Sequence, residues 1–144
     1  MKRIIPLELV ELEDDNYHIT VNSRFEDGSE GIWVIDTGAS RTVFSLALSS
    51  HYDLLNVEEE NVVKSAGIGS DHLEILPGRI HPFYLGDFLV SPLKAVLIDL
   101  SHINSLYYHA TEKEICGLIG SDFLMEHKAV IDYRRLRMLL YPQR

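Results

Sequence analysis

From His18 to Tyr141 the apolar residues come in short runs, and most runs are closed off by Gly, Pro, Asp or Ser. This punctuation leaves little room for long helices and points to short strands joined by tight turns. His18-Ile19-Thr20-Val21 and Ile32-Trp33-Val34-Ile35 flank Glu26-Asp27-Gly28-Ser29, the signature of a hairpin with turn chemistry at its tip. Further on, Leu73–Leu76, Ile80–Leu85 and Phe88–Val90 are separated by Pro77-Gly78 and Gly86-Asp87, which read as turns, and Val96–Leu100 is a continuous apolar run suited to a core strand. Val130–Tyr133 and Met138–Tyr141 suggest a closing hairpin around Arg134-Arg135. Ser45 before Leu46-Ala47-Leu48 resembles a capped short helix, 101–116 an irregular insertion or short helix, and Phe123–Lys128 a helix. The expected architecture is therefore all-β and barrel-like, with one or two short helices.

A chain of 144 residues fits one domain with a sizeable core, spanning 1–144 with 1–15 as an N-terminal extension strand. No repeat or linker interrupts it. Apolar residues make up 46% and charged residues 24%, a globular balance. The net charge of −9 and the lack of a Lys/Arg stripe argue against nucleic acid as a partner. Glu58-Glu59-Glu60 reads as a solvated loop, and the cluster of Arg134, Arg135 and Arg137 is too small to define a ligand site. A lone Cys116 in apolar surroundings reads as a small buried residue and excludes an intrachain disulfide. The N-terminus starts like a signal peptide, but Glu8 and Glu11 interrupt it, and no apolar run has the length of a membrane span. No membrane partner and a cytoplasmic location are the corresponding expectations. The seven histidines lack the close spacing of a zinc site, so neither a metal nor a cofactor is expected. Tyr107-Tyr108 reads as partly buried in preference to an aromatic contact for a ligand.

One segment carries chemistry. Trp33-Val-Ile-Asp-Thr-Gly-Ala-Ser40 ends an apolar strand in Asp36, with Gly38 two residues later to permit a tight turn and close backbone approach. An acid at the end of an apolar strand needs a partner or a task. The tripeptide by itself also suits an ordinary Asp/Gly turn. Asp99 and Asp132 follow apolar runs but lack the Thr/Ser-Gly that follows Asp36, and Asp122 sits where a carboxylate caps a helix start.

The order of motifs resembles the retropepsin-like aspartic proteases, the clan that includes retroviral proteases, in a bacterial-type form. Val34–Ser40 is similar to the family's catalytic loop, Ala66-Gly67-Ile68-Gly69-Ser70 to its flap, and Leu118–Leu124 to its apolar-apolar-Gly segment. The resemblance spans residues 16 to 141 and implies a closed barrel-like acid-protease fold with one active-site loop per chain. Actin-like ATPases share an apolar-Asp-x-Gly motif but need two large α/β lobes, and haloacid-dehalogenase-type phosphatases need a second Asp where Gly38 stands.

The family reading implies an aspartic endopeptidase acting on peptide or protein substrates. Since Asp36-Thr37-Gly38 occurs once, a second carboxylate has to come from a homodimer. By resemblance, Asp36, Thr37 and Gly38 form the catalytic loop, Ala39 and Ser40 line the adjacent subsite, and Gly67, Ile68 and Gly69 cover the peptide. Val34 and Ile35 read as core. The alternative function is a catalytically silent dimerisation or peptide-binding domain. One departure is notable: retroviral members usually carry an acid at the place of Ser40 and an arginine at that of Ser121. Neighbouring Arg41 and Asp122 suggest a displaced ion pair.

Overall fold

The computed structural model describes residues 1–56 and 75–142. Strands β1 (Arg3–Pro6), β2 (Glu8–Glu13), β3 (Asn16–Arg24), β4 (Glu30–Ile35) and β5 (Val43–Ser45) open the chain. A 3-10 turn at Ser49–His51 leads into β6 (Tyr52–Leu54). Then come β7 (Ile75–Ile80), β8 (Phe83–Leu85), β9 (Phe88–Val90) and β10 (Leu93–Ile98). Helix α1 (Ser101–Thr111), β11 (Gly117–Ile119), helix α2 (Ser121–Glu126), β12 (Val130–Asp132) and β13 (Arg137–Leu140) complete it. The domain is mostly β, and its main sheet curls into a half-barrel.

Among the described residues the main sheet runs β6-β7-β10-β5-β11-β4-β3-β8-β9, with β2 on β3, beside a smaller β1-β13-β12 sheet. The β3–β4 hairpin forms as its turn chemistry dictates: Gly28 takes a left-handed φ of 89°, and Asp27 Oδ1 accepts the Ser29 N–H at 2.9 Å. The β8–β9 and β12–β13 hairpins likewise match the sequence pattern.

Two cores lie on the two faces of the central strands. Along β4 Trp33 faces one and Val34 the other; along β5 Phe44 and Val43 divide the same way, and along β10 Leu97 and Val96. Burial on both faces explains why Val96–Ile98 reads as a continuous apolar run instead of alternating. Trp33, Phe44 and Phe83 anchor the larger core, with Trp33 stacked on Phe83 at 5.2 Å and its indole N–H donated to Ser23 Oγ at 2.9 Å. Burial of each such ring contributes roughly 3 kcal/mol. The smaller core is roofed by α1, through Tyr107.

Two expectations fail. Leu46–Leu48 is not a helix: Leu46 N–H bonds to Ile98 O of β10, and the Tyr52 hydroxyl donates to Leu46 O at 2.6 Å. Those bonds claim the backbone groups that a helical turn would use. Pro77-Gly78 is not a turn either, because both lie inside β7 opposite Val96 and Ala95. The carbonyl of Pro77 accepts Leu55 N–H just past the end of β6, so its missing N–H falls on the side where the β6 ladder stops. Gly78 is required by packing, since a Cβ there would stand 2.6 Å from Leu97 Cδ1. Cys116 is buried and free, and burial pushes its thiol pKa well up. No helix among the described residues is long and apolar enough to cross a membrane.

Candidate active site

The candidate site is built by three strand ends. β4 and β11 run parallel with Ile35 opposite Ile119, so Asp36 and Gly120 emerge side by side at one edge. β5 pairs with β11 from the other side. The segment from Asp36 to Thr42 must therefore cross the end of β11 to join β4 to β5, and it passes directly over Gly120. A Cβ on Gly120 would lie 2.7 Å from Arg41 C and 2.8 Å from Ala39 O, both backbone atoms. Glycine is the residue that this crossing tolerates.

The crossing is fastened by a ladder of hydrogen bonds. Asp36 N–H donates to Ile119 O at 2.9 Å, and Ser121 N–H to Ala39 O at 2.7 Å. Thr42 is fully buried; its hydroxyl accepts Gly120 N–H at 3.1 Å and donates to Asp122 Oδ1 at 2.8 Å. The Asp122 carboxylate also accepts Thr42 N–H at 3.1 Å and Phe123 N–H at 2.8 Å. Asp122 thus ties the start of α2 to the loop, a structural task in keeping with its place in the first helical turn. The hydrogen bonds described for it go to Thr42 and Phe123; Arg41 lines the same cavity as Asp122, of about 450 Å³.

Within the loop, Ala39 N–H donates to Asp36 O at 3.1 Å, closing a turn over Thr37-Gly38, and Gly38 N–H donates to Asp36 Oδ1 at 3.1 Å. One carboxylate oxygen is thereby oriented by its own backbone. Asp36 and Ala39 are half-buried, whereas Thr37, Gly38 and Ser40 are exposed. Gly38 sits in that turn without a left-handed backbone. It is not among the residues with positive φ, and an added Cβ would meet only Asp36 Oδ1, at 3.5 Å. Nothing described in this chain demands glycine there. The flap-like Gly67, Ile68 and Gly69 lie outside the described residues, as does Glu58–Glu60.

The other carboxylates weighed from the sequence are engaged elsewhere. Asp99 Oδ1 accepts Ser101 N–H at 2.9 Å where α1 begins, and this bond holds its pKa below the ordinary value. Asp132 accepts Arg135 N–H at 3.0 Å, a bond that likewise holds its pKa down, and it also faces Arg137 Nε at 3.7 Å. So Arg135 and Arg137 serve a carboxylate of their own hairpin.

On its open side Asp36 borders a cavity of about 530 Å³. Val34, Ile35 and Leu118 give it an apolar floor, so the first two also line a cavity in addition to packing the core. Its far wall is a pair that sequence reasoning missed: Tyr107 of α1, buried, hydrogen-bonded through its hydroxyl to His18 Nδ1 of β3. Burial, with the charge of Asp36 as the second cause, pushes the Tyr107 pKa up to about 12. These partners are 89 residues apart, and no local pattern announces them. Neighbouring Tyr108 is exposed. Among the described residues no group of three or more His, Cys, Asp or Glu side chains is arranged to hold a metal ion.

A family model described as aspartyl protease matches residues 21–123. Among solved structures, the chain is similar to a retropepsin-like aspartic protease from Rickettsia conorii, at 17% identity and a TM-score of 0.46, covering 97% of this chain and 90% of that one. It is also similar to the retroviral protease-like domain of Ddi1 from Leishmania major, at 16% identity and a TM-score of 0.45, covering 80% of this chain and 81% of that one. No curated protein sequence matches it.

Proposed function

Because the chain belongs to the aspartyl protease family, we propose that it is an aspartic endopeptidase whose active site forms from the Asp36 loops of two copies. The observation that carries this reading is the state of the carboxylates. Asp36 borders the open cavity beside its exposed loop, while Asp122 is tied to Thr42 and Phe123, Asp132 to Arg135 and Arg137, and Asp99, bonded like Asp36 to the N–H two residues on, lies away from that cavity. Peptide hydrolysis needs a base to activate water and an acid to assist the carbonyl and the leaving nitrogen. A two-fold axis through the exposed loop supplies both by placing Asp36 beside its own mate.

Two carboxylates in contact cannot both remain ionised, so the pair shares one proton; this behaviour is carried over from aspartic proteases as a class. The ionised oxygen takes a proton from water as the water oxygen attacks the carbonyl carbon. The protonated partner meanwhile hydrogen-bonds and then protonates the carbonyl oxygen. Collapse of the tetrahedral intermediate returns that proton to the pair and transfers the other to the departing nitrogen. Thr37, exposed at the loop tip, fixes the two loops across the axis, and Ala39 and Ser40 border the bound peptide. Gly38, which nothing among the described residues requires, leaves room for the substrate backbone. Gly67, Ile68 and Gly69 would cover the peptide from the opposite side.

The test combines sedimentation with an acid-range proteolysis assay on unfolded protein substrates. A wild-type dimer that cleaves, with Asp36→Asn dimeric and at least about a thousandfold slower, is the expected result. The asparagine keeps an oxygen to accept Gly38 N–H, so the loop is preserved. A stable monomer, or cleavage that survives Asp36→Asn, would refute the reading.

A further inference from the structure

The His18–Tyr107 pair occupies the wall of the Asp36 cavity, with the Tyr107 ring also packed in the smaller core. Tyr107 is nearly inaccessible to solvent, at 5% exposure, and its ring meets His18 edge to face at 5.6 Å. Its hydroxyl carries one proton and can donate one hydrogen bond. The phenol is kept neutral by burial and by the Asp36 charge, so that proton is present throughout the physiological range.

The state of His18 decides where the proton points. A neutral imidazole offers Nδ1 as a good acceptor, and the phenol is the stronger donor of the two, so the Tyr107 O–H is spent on His18. Protonated His18 has N–H groups on both nitrogens. Nδ1 must then donate to the phenol oxygen, and the phenol proton rotates to another acceptor. Tyr107 borders two cavities, a smaller one with Glu8, Lys113 and Glu114 and the larger one with His18 and Asp36; its hydroxyl, bonded to His18, lies at the larger one. Tyr107 from α1 contacts His18 directly, and the cavity that both line also holds Asp36 beyond β4, Tyr17 of β3 and Tyr133 after β12. From β2, Val10 stands opposite His18, with Glu11 opposite Tyr17.

We propose that Tyr107 is a positioning residue for the Asp36 reaction, whose hydroxyl is released into the catalytic cavity when His18 takes up a proton. The proposal rests on Asp36 being the catalytic acid. It would give the site a second acid dependence, separate from the shared proton of the carboxylate pair: a hydrogen-bond donor that appears only in the acid state.

Two measurements on the intact protein test it. In the first, kcat and KM are followed against pH. Wild type should show kcat rising about tenfold as pH falls through the His18 titration, with KM unchanged. Tyr107→Phe and His18→Gln should lack that rise while keeping the limb that belongs to the carboxylate pair. A Tyr107→Phe profile superimposable on wild type would overturn the proposal. In the second, imidazole nitrogen and Tyr ring carbon resonances are followed by NMR in wild type, Tyr107→Phe and Asp36→Asn. The expected result is a His18 Nδ1 that is an acceptor at neutral pH and protonated in acid, with Tyr107 shifting at the same midpoint. Asp36→Asn should move that midpoint to lower pH. A His18 that titrates without effect on Tyr107, or is indifferent to Asp36→Asn, refutes the pair whatever the activity. If wild type is inert yet the NMR coupling holds, the endopeptidase reading falls and the link from His18 through Tyr107 to Asp36 stands.

Discussion

The two sides of Asp36 are made differently. Behind it, the loop crosses β11 with Thr42 fully buried, Gly120 too close to backbone to carry a side chain, and the Asp122 carboxylate accepting three hydrogen bonds. In front, the carboxylate borders a cavity of about 530 Å³ and an exposed Thr37-Gly38 tip. The contrast separates two jobs. The rear fixes the backbone of the acid and tolerates little change. The front is open, so substitutions there should cost less in folding than those at the rear.

Gly120→Ala attacks the rear most directly and should have the largest effect. Its methyl group would press on Arg41 C and Ala39 O, and neither is the free end of a flexible side chain. A loss of about 3 kcal/mol or more is expected, because overpacking against backbone moves the whole crossing. Thermal denaturation would read this as a large drop in Tm. A Gly120→Ala protein within a degree or two of wild type would mean that the crossing is looser than its hydrogen bonds imply.

Thr42→Val comes next. The replacement matches the shape of threonine but removes the hydroxyl that joins Gly120 N–H to the Asp122 carboxylate. A buried N–H is then left without its partner, and Asp122 keeps only its two backbone donors. About 2 kcal/mol of stability should be lost. Tyr107→Phe, on the front, provides the contrast: its ring stays in place and only one hydroxyl is removed, so a smaller loss, of about 1 kcal/mol, is expected by chemical denaturation. Equal losses at Thr42 and Tyr107 would erase the distinction between the two sides.

Much of this layout was legible in the sequence, and where it was not the reason is physical. The β3–β4 hairpin announced itself because Asp27 and Gly28 act on residues next to them. Val96–Ile98 announced a core strand because both its faces are buried. Pro77-Gly78 misled because its meaning depends on where β6 ends and on the bulk of Leu97, neither of which is local. The same holds at the site. Asp36 is singled out as the candidate acid by its motif, whereas Gly120 is explained only by the loop that crosses it, and His18 and Tyr107 meet only after the sheet and α1 have formed. Short-range chemistry is written in order along the chain; a cavity wall is assembled from pieces whose adjacency the order does not encode.

The smallest predicted effect lies at His127, behind the site, where α2 ends. Its ring packs on Phe123 at 4.4 Å and Phe88 at 5.4 Å, and its Nδ1 is buried without a hydrogen-bond partner among the described residues. Burial lowers its pKa below the ordinary 6.5, with Glu126 opposing the shift. Between the unfolded and the folded pKa the unfolded chain binds more protons, so stability falls as pH drops below about 6.5 and levels off beneath the folded value. That window overlaps the acidic range in which an aspartic endopeptidase would work. His127→Phe should therefore flatten the decline of Tm with acidification while leaving Tm at pH 8 within a few degrees of wild type. Since His127 is on the rear, the acid dependence of catalysis assigned to His18 should survive this change. Loss of that dependence in His127→Phe would show that the two sides of Asp36 are coupled through α2 rather than independent.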